Sequence, residues 1–427
     1  MNYDEALALI HGRPRLKRES TLRRMRRFLA LLGNPQEHGQ FVHVTGTNGK
    51  GSVVAMLRDL LVGQGLTVGT FTSPYIVKFN ERIAVNGKMI SDDEVVSLAT
   101  KVEPIIKQMD AAGEGPTEFE VVTAMMFCYF AAHPVDFVIC EVGIGGTYDS
   151  TNVLAHPVAS AIVTVAYDHM KLLGNSIEAI ATQKAGIIKP HCPVVVGRVP
   201  DEACTVIRQR ANQQQAPLAV YDEDFSVTDH HPTTTGERLT YHDKTWSALT
   251  VTTALKGQYQ VINTAVALRL FEVCCKQAQI TPQPGEIAHA LANVRWPGRL
   301  ERVVDEPLVL LDGAHNPVAI AGLGDTLKQR YRGREINVIM AVLADKDAAT
   351  MVRQLSQIKN VRVTLTGFEQ PPRPLVGEEF AQELGVEYVA DWRNAFMKVV
   401  QSAAADDVIL FAGSLYFVAA VRPFFEK

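Results

Sequence analysis

Residues 41–52 read FVHVTGTNGKGS, and the fold follows from how this stretch is read. FVHVT (41–45) is a short β-branched run, and a glycine-rich turn with one lysine follows it. Val53, Met56, Leu57, Leu60 and Leu61 then recur at helical spacing. A strand, a glycine-rich turn and an amphipathic helix in that order make a phosphate cradle. Glycines let successive backbone N–H groups point into one concavity, the helix N-terminus adds partial positive charge, and Lys50 can reach β- and γ-phosphates. Thr47, Asn48, Gly49, Lys50, Gly51 and Ser52 are therefore candidate nucleotide-binding residues. The strict pattern GxxxxGK[ST] is not met. Val44 stands where its first glycine belongs and Gly51 where its hydroxyl belongs, with Ser52 one place later. Ser52 is accordingly the hydroxyl expected to reach Mg²⁺. The loop alone does not choose between kinase, ATPase and ligase.

Outward from the loop, strand-like and helix-like segments alternate. LTVGTFT (66–72) reads as a second strand, FEVVTAMMFCYFAA (119–132) as a buried helix and DFVICEVG (136–143) as a buried strand. SAIVTVAY as a strand, IEAIATQKAGII as a helix and PVVVG as a strand carry the pattern to residue 197. Such alternation implies βαβ units and a parallel sheet covered on both faces. Residues 216–256 differ: FSVTDHH, RLTYHD and SALTVT are short, alternating, Thr-rich runs that suggest a small antiparallel sheet. A helix over Gln260 to Cys275 follows, and WPGRLE (296–301) is the candidate linker. Beyond it PLVLLDGAHN, INVIMAVLA, VRVTLTGF and VILFAGS alternate with helices, giving a second α/β domain. The expected division is 1–295 and 296–427.

The 427 residues are roughly three domain-lengths as a prior. Apolar residues are 47% and charged residues 21%, and 42 basic against 46 acidic residues leave a net charge of −4. That balance argues against a generic nucleic-acid binder, which needs a basic surface. MNYDEALALIHGRPR lacks an apolar signal core. The longest strongly apolar stretch, Val408 to Val421, has a Gly-Ser in its middle and is too short for a bilayer span. Six cysteines without CxxC or framework spacing fit reduced core residues in a cytoplasmic protein. The basic stretch His11 to Arg27 is open to two readings, a solvated helix face or a lure for a polyanionic substrate.

TGTNGKGS resembles the variant phosphate loop of the Mur-type ATP-dependent amide ligases. TSPY and FNERI (72–83), EVGIGGTYDSTN (141–152), DH (168–169), KAGIIK (184–189), WPGRLE, DGAHNP (312–317) and GSLY (413–416) narrow the resemblance to the folylpolyglutamate synthases and their dihydrofolate synthase relatives. It spans nearly the whole chain in the right order. The resemblance implies an N-terminal P-loop domain and a C-terminal Rossmann-like domain with ATP between them. It also implies ligation of L-glutamate to the γ-carboxyl of a folate through an acyl phosphate, using two Mg²⁺ sites, with K⁺ as a further candidate cation. The expected partners are folate, glutamate and ATP, with no nucleic acid, no membrane and a monomeric chain.

Residue by residue, Glu141 ends a buried strand beside a glycine-rich turn, where a carboxylate needs a cation; the family places a Mg²⁺ ligand there. Ser73, His169 and Lys184 complete the implied metal set, with Lys184 carbamylated, since a plain ammonium would be repelled. Asp312 is implied for ATP, His315 for the reacting phosphate and carboxylate, Arg299 for phosphate and Asn263 for adenine or phosphate. Lys50, Lys184, Asp312 and His315 form the implied catalytic set. Ser73, Pro74, Tyr75, Phe79 and Arg82 resemble the folate-binding loop, with Asp149 and Ser150 nearby and Ser414 for glutamate. Two departures stand out. Where the family often reads GGRLDxTN, this chain has Gly146-Thr147-Tyr148-Asp149, so an arginine is missing. Where many members carry GxHQxxN, it has Gly257-Gln258-Tyr259-Gln260 before Asn263. The runner-up is a bifunctional enzyme that also makes dihydrofolate from dihydropteroate. A Mur ligase acting on a UDP-sugar peptide is disfavoured, with no nucleotide-sugar domain before residue 45. A nucleotide-switched binding module would need neither DGAHNP nor Lys184.

Overall fold

The computed structural model describes residues 1–15, 21–371 and 373–426. The strands of the first sheet are β1 (Phe41–Thr45), β2 (Val68–Phe71), β3 (Ile83–Val85), β4 (Lys88–Met89), β5 (Phe137–Glu141), β6 (Ala159–Ile162), β7 (Val194–Val196) and β8 (Leu218–Val220). Their order is β4-β3-β2-β5-β1-β6-β7-β8. The six strands from β2 to β8 run parallel, and the β3–β4 hairpin adds an antiparallel edge. β1 lies between β5 and β6, with Val44 opposite Glu141 on one side and Ala161 on the other. The chain therefore delivers the phosphate loop, Glu141 and the segment after β6 to one sheet edge. This is where open α/β sheets hold ligands.

Every residue of β1 is buried, His43 included, and its Nε2 meets Thr151 Oγ1 at 2.8 Å. The first helices are α1 (Tyr3–His11), α2 (Arg23–Leu31), α3 (Lys50–Gly63), α4 (Asp92–Ala111) and α5 (Glu118–Ala132). After them come α6 (Met170–Leu173), α7 (Ile177–Ala185), α8 (Asp201–Gln213) and α9 (Gln258–Gln277). α3 and α9 cover one face with Val54, Leu57, Leu61, Val266 and Phe271; α5 covers the other with Val122, Met126 and Phe127. The expected small sheet is present as β9 (Ser226–Pro232), β10 (Glu237–His242) and β11 (Leu249–Thr253), antiparallel throughout.

The second body holds β12 (Glu301–Val304), β13 (Leu308–Leu311), β14 (Ile336–Met340), β15 (Val361–Gly367), β16 (Glu387–Asp391) and β17 (Val408–Ala412). Their order is β12-β13-β17-β14-β15-β16, with β12 alone antiparallel. The sequence reading did not include β16, whose alternation is half-buried and interrupted by charge.

Two expectations need correction. SAIVTVAY is not one strand: β6 stops at Ile162, because Val163 to Ala166 turn aside to bond the phosphate loop. The His11–Arg27 stretch is not a free basic run: its described arginines, Arg26 excepted, are held in ion pairs, with Arg15 and Arg23 still exposed. Lys17 and Arg18 lie outside the described residues. Of the others, Arg13 pairs with Asp110, Arg15 with Glu118, Arg23 and Arg27 with Glu114, and Arg24 with Glu120. These carboxylates flank the α4–α5 turn, so the stretch fastens α2 to it. No helix among the described residues is long and apolar enough to cross a membrane. All six cysteines are free thiols.

Candidate active site

Gly49 caps α3 with φ of 83°, a conformation that favours glycine. A Cβ there would stand 2.5 Å from Asn263 Oδ1, so backbone angle and space both require glycine. A Cβ on Gly51 would meet Trp296 Nε1 at 2.7 Å. The linker indole therefore occupies the space that the usual hydroxyl residue would need, and the hydroxyl moves to Ser52. Ser52 Oγ is buried and accepts from Gln260 Nε2 at 3.1 Å; Gln260 Oε1 accepts from Asn263 Nδ2 at 2.9 Å. Thr47 N–H donates to Thr164 O and Asn48 N–H to Thr164 Oγ1, bracing the loop on the segment after β6. Lys50 Nζ donates to Gly46 O at 3.0 Å and lies 4.0 Å from Glu141 Oε1.

Glu141, 4% exposed, accepts from the Ser73 N–H at 3.0 Å; burial pushes its carboxyl up while Lys50 opposes the shift. His169, in the left-handed region at φ 50°, is pushed down to about 4 by burial, against the pull of Asp168. Lys184 is 2% exposed, and no described residue gives its amine a hydrogen bond or ion pair. Burial, with the Lys50 charge, pushes it down to about 7. No group of three His, Cys, Asp or Glu side chains able to hold a metal occurs among the described residues.

From the second body, Asp312 accepts from the Leu300 and Ala314 N–H groups at 2.9 and 2.8 Å. Burial raises its carboxyl, and Arg299 opposes this. His315 Nδ1 lies 2.8 Å from Gly313 O and donates to it, leaving Nε2 with the lone pair; burial pushes this imidazole down to about 4. The two bodies meet here. Asn48 and Asn316 exchange amide bonds of 3.2 and 2.9 Å, and Asn316 also donates to Asp168 at 3.2 Å. Lys346 Nζ reaches Asp168 Oδ1 at 2.5 Å, with His315 Nε2 3.8 Å from Oδ2. Burial works against the Asp168 charge, yet His169, Lys346 and His315 hold its carboxyl well below the usual range.

The Ser73–Pro74 peptide is cis. Tyr75 and Phe79 stand 6.0 Å apart, with the Arg82 guanidinium 5.1 and 5.8 Å from their centroids. Arg82 Nε and Nη1 are buried without a partner. Asp149 accepts from Ile144 and Thr151, an internal loop brace, while Ser150 Oγ is buried and unpartnered. Ser414 Oγ accepts from Tyr416 N–H at 3.1 Å and caps the last helix.

Sequence reasoning missed Lys346, Asn316 and Trp296, and gave Asp168 no role of its own. It also missed Glu81, whose carboxylate takes three N–H groups, from Ile76, Val77 and Lys78, and shapes the loop carrying Tyr75. LADKD, just beyond β14, was the available signal for Lys346: a charged run at the carboxyl end of a parallel strand.

A variant phosphate loop in one α/β body, closed by an Asp-Gly-Ala-His-Asn turn from another, defines a ligase of the Mur class. Residues 44–271 match the Mur ligase middle domain and residues 298–415 the Mur ligase glutamate ligase domain. The chain is 40% identical to the folylpolyglutamate synthase of Lacticaseibacillus casei, over 99% of this chain and 98% of that one. It is 38% identical to the dihydrofolate synthase/folylpolyglutamate synthase of Bacillus subtilis, over 98% of each. Among solved structures, a folylpolyglutamate synthase complex with AMPPCP and folate superposes with a TM-score of 0.89 at 39% identity, covering 100% of both chains. The Mycobacterium tuberculosis folylpolyglutamate synthase bound to ADP gives 0.91 at 29% identity, covering 100% of this chain and 98% of that one. The chain belongs to the folylpolyglutamate synthase/dihydrofolate synthase family.

Proposed function

We propose that the protein is an ATP-dependent ligase that joins L-glutamate to the γ-carboxyl of a reduced folate, lengthening the tail by one residue per cycle. A folate carboxylate oxygen attacks the γ-phosphorus of ATP, giving an acyl phosphate and ADP. The glutamate nitrogen, having lost a proton, attacks the acyl carbon, and the tetrahedral intermediate expels phosphate. The Asn48–Asn316 contact carries this reading, because it sets the phosphate loop directly against the turn bearing Asp312 and His315. A nucleotide cradled by the first body thus presents its terminal phosphate to the second.

In this reading Thr47 to Ser52 cradle the phosphates, Lys50 balances β/γ charge, and Arg299 meets charge developing on the transferred group. Asn263 and Asp312 hold the nucleotide. Tyr75 and Phe79 supply a flat apolar wall, and the unpartnered Arg82 donors await an anionic or carbonyl group of the folate. Asp149 and Ser150 shape the neighbouring loop, Ser414 and its helix face glutamate, and His315 Nε2 can take the proton shed by the attacking nitrogen. Ser52, Ser73, Glu141, His169 and a carbamylated Lys184 would hold Mg²⁺, a donor set suited to an ion that keeps waters and shares substrate phosphates. The buried Lys184 amine, which no described residue hydrogen-bonds and whose basicity burial lowers, fits such a conversion. Bound there, Mg²⁺ would neutralise phosphate charge, and K⁺ would be an accessory cation.

The test is mass analysis of products from tetrahydrofolate, ATP and glutamate. Steps of one glutamyl residue, with matching phosphate release, are expected; absence of glutamate-dependent phosphate release would refute the assignment. Dihydropteroate as a parallel acceptor shows whether dihydrofolate synthesis is a second activity.

A further inference from the structure

A cavity of about 670 Å³ lies between α2, α7, α8 and the 147–152 loop. That volume falls within the range of roughly 300–1,000 Å³ typical of ligand sites. Three cations line it, Arg26, Lys189 and Arg210, and no carboxylate lines it among the described residues. Their lack of counter-charges among the described residues is unusual for their surroundings. The other described arginines of the His11–Arg27 stretch are paired with carboxylates, and Arg208 on α8 is paired with Glu223. Arg26 and Arg210 form no ion pair or side-chain hydrogen bond among the described residues. Among the described residues, Lys189 meets only the Asn152 carbonyl, at 3.3 Å. Burial, together with Arg26 and Arg210, pushes its ammonium down to about 8. Three cations that repel one another inside a concavity favour a ligand that brings the missing negative charge.

The cavity is separate from the phosphate loop. Thr182 and Ala185 face it from α7, whereas Lys184 lies about 200° round the helix from Thr182. Asn152 lines the cavity and braces its rim, donating to both Thr147 O and Gly186 O. Amides and hydroxyls around the cations suit an elongated ligand with several anionic groups.

We propose that this cavity is a second binding site, for a small linear polyanion carrying two or three carboxylate or phosphate groups. A γ-linked oligoglutamate is the carboxylate source available to this protein, a point that rests on the proposed function; the site itself does not.

Calorimetric titration of the full chain tests this, with the nucleotide and folate sites first saturated by AMPPCP, Mg²⁺ and folate. The probes are γ-linked diglutamate, which carries three carboxylates, and inorganic tripolyphosphate. One equivalent of at least one probe should bind, and the stronger probe identifies the carboxylate or phosphate source. Arg26→Glu and Arg210→Glu, made separately because neither side chain supports a packing bond, should each weaken that binding at least tenfold. Ligation by these variants under saturating substrates, a readout independent of the cavity, shows that they are folded. The proposal is overturned if neither probe binds the saturated protein, or if binding is unchanged in both folded variants.

Discussion

The buried Lys184 amine forms no hydrogen bond or ion pair with a described residue, and burial and Lys50 push it down to about 7 against the weaker pull of Asp168. A neutral amine can attack CO₂: an N–C bond forms, a proton leaves, and an anionic carbamate oxygen replaces a cation. Activity should therefore fall after rigorous decarbonation and recover with bicarbonate. Lys184→Ala should be nearly inactive, with a short-chain carboxylate restoring part of the rate. Full activity of Lys184→Ala would dismiss the assignment, and a bare ammonium in an ATP-bound crystal would dismiss the carbamate. Lys50 offers a cleaner separation of chemistry from folding. Its described contacts are the bond to Gly46 O and a long 4.0 Å ion pair with Glu141, so Lys50→Ala should keep its melting temperature within a few degrees while ligation is lost; wild-type turnover would show that the loop is not the phosphate site. Residues such as Lys50 and Glu141 were legible because each sits where a strand meets a glycine-rich turn. Lys346 was not, since its meaning depends on Asp168, 178 positions away in the chain.

At the scale of elements, hydrophobic runs and turn residues marked most strands, because a buried parallel strand must be almost wholly apolar. They failed where a loop borrows the strand's composition. Val163 to Ala166 look like more of β6, but the Thr164 and Ala166 backbone groups bond Thr47 and the Thr164 hydroxyl bonds Asn48, a pairing no local pattern records. The small sheet has its own titratable anchor. In the β10–β11 turn, Asp243 accepts from Thr245 N, Trp246 N, Tyr241 Oη and Arg269, and it lies against Glu272 of α9. Burial and Asp243 push Glu272 up to about 8, with Arg269 opposing. Above the ordinary carboxylate range the unfolded chain has released this proton while the folded chain keeps it. Stability from this group is thus present at low pH and lost as pH rises from about 4.5 towards 8. Urea denaturation from pH 5 to 8 should show that decline, and Glu272→Gln, which keeps a neutral partner, should flatten it. An equal slope in both proteins would count against a shared proton.

For the whole molecule, the order of sheets was readable but the way the two bodies meet was not, because an interface joins residues that no spacing relates. Asp168 is the centre of that meeting: Lys346, Asn316 and His315 all reach it from the second body. The Asp168 and Lys346 side chains are each 8% exposed, so their bond is shielded from solvent, and removing one partner leaves a buried charge uncompensated. Breaking such a pair costs about 3–5 kcal/mol in general, here taken from the closed arrangement and not from either domain's own core. Lys346→Ala should therefore fold normally yet spend more time open. Small-angle scattering should give a larger radius of gyration than the wild type, and saturating AMPPCP, Mg²⁺ and folate should narrow the difference by drawing the bodies together. Ligation should fall at least tenfold, since the roles proposed for Asp312 and His315 require both to be brought to the phosphate loop. Lys346→Arg, which keeps the charge, should recover part of both readouts. Unchanged dimensions together with unchanged ligation in Lys346→Ala would mean that Asp168 holds the cleft without Lys346, and closure would have to be credited to the Asn48–Asn316 pair alone.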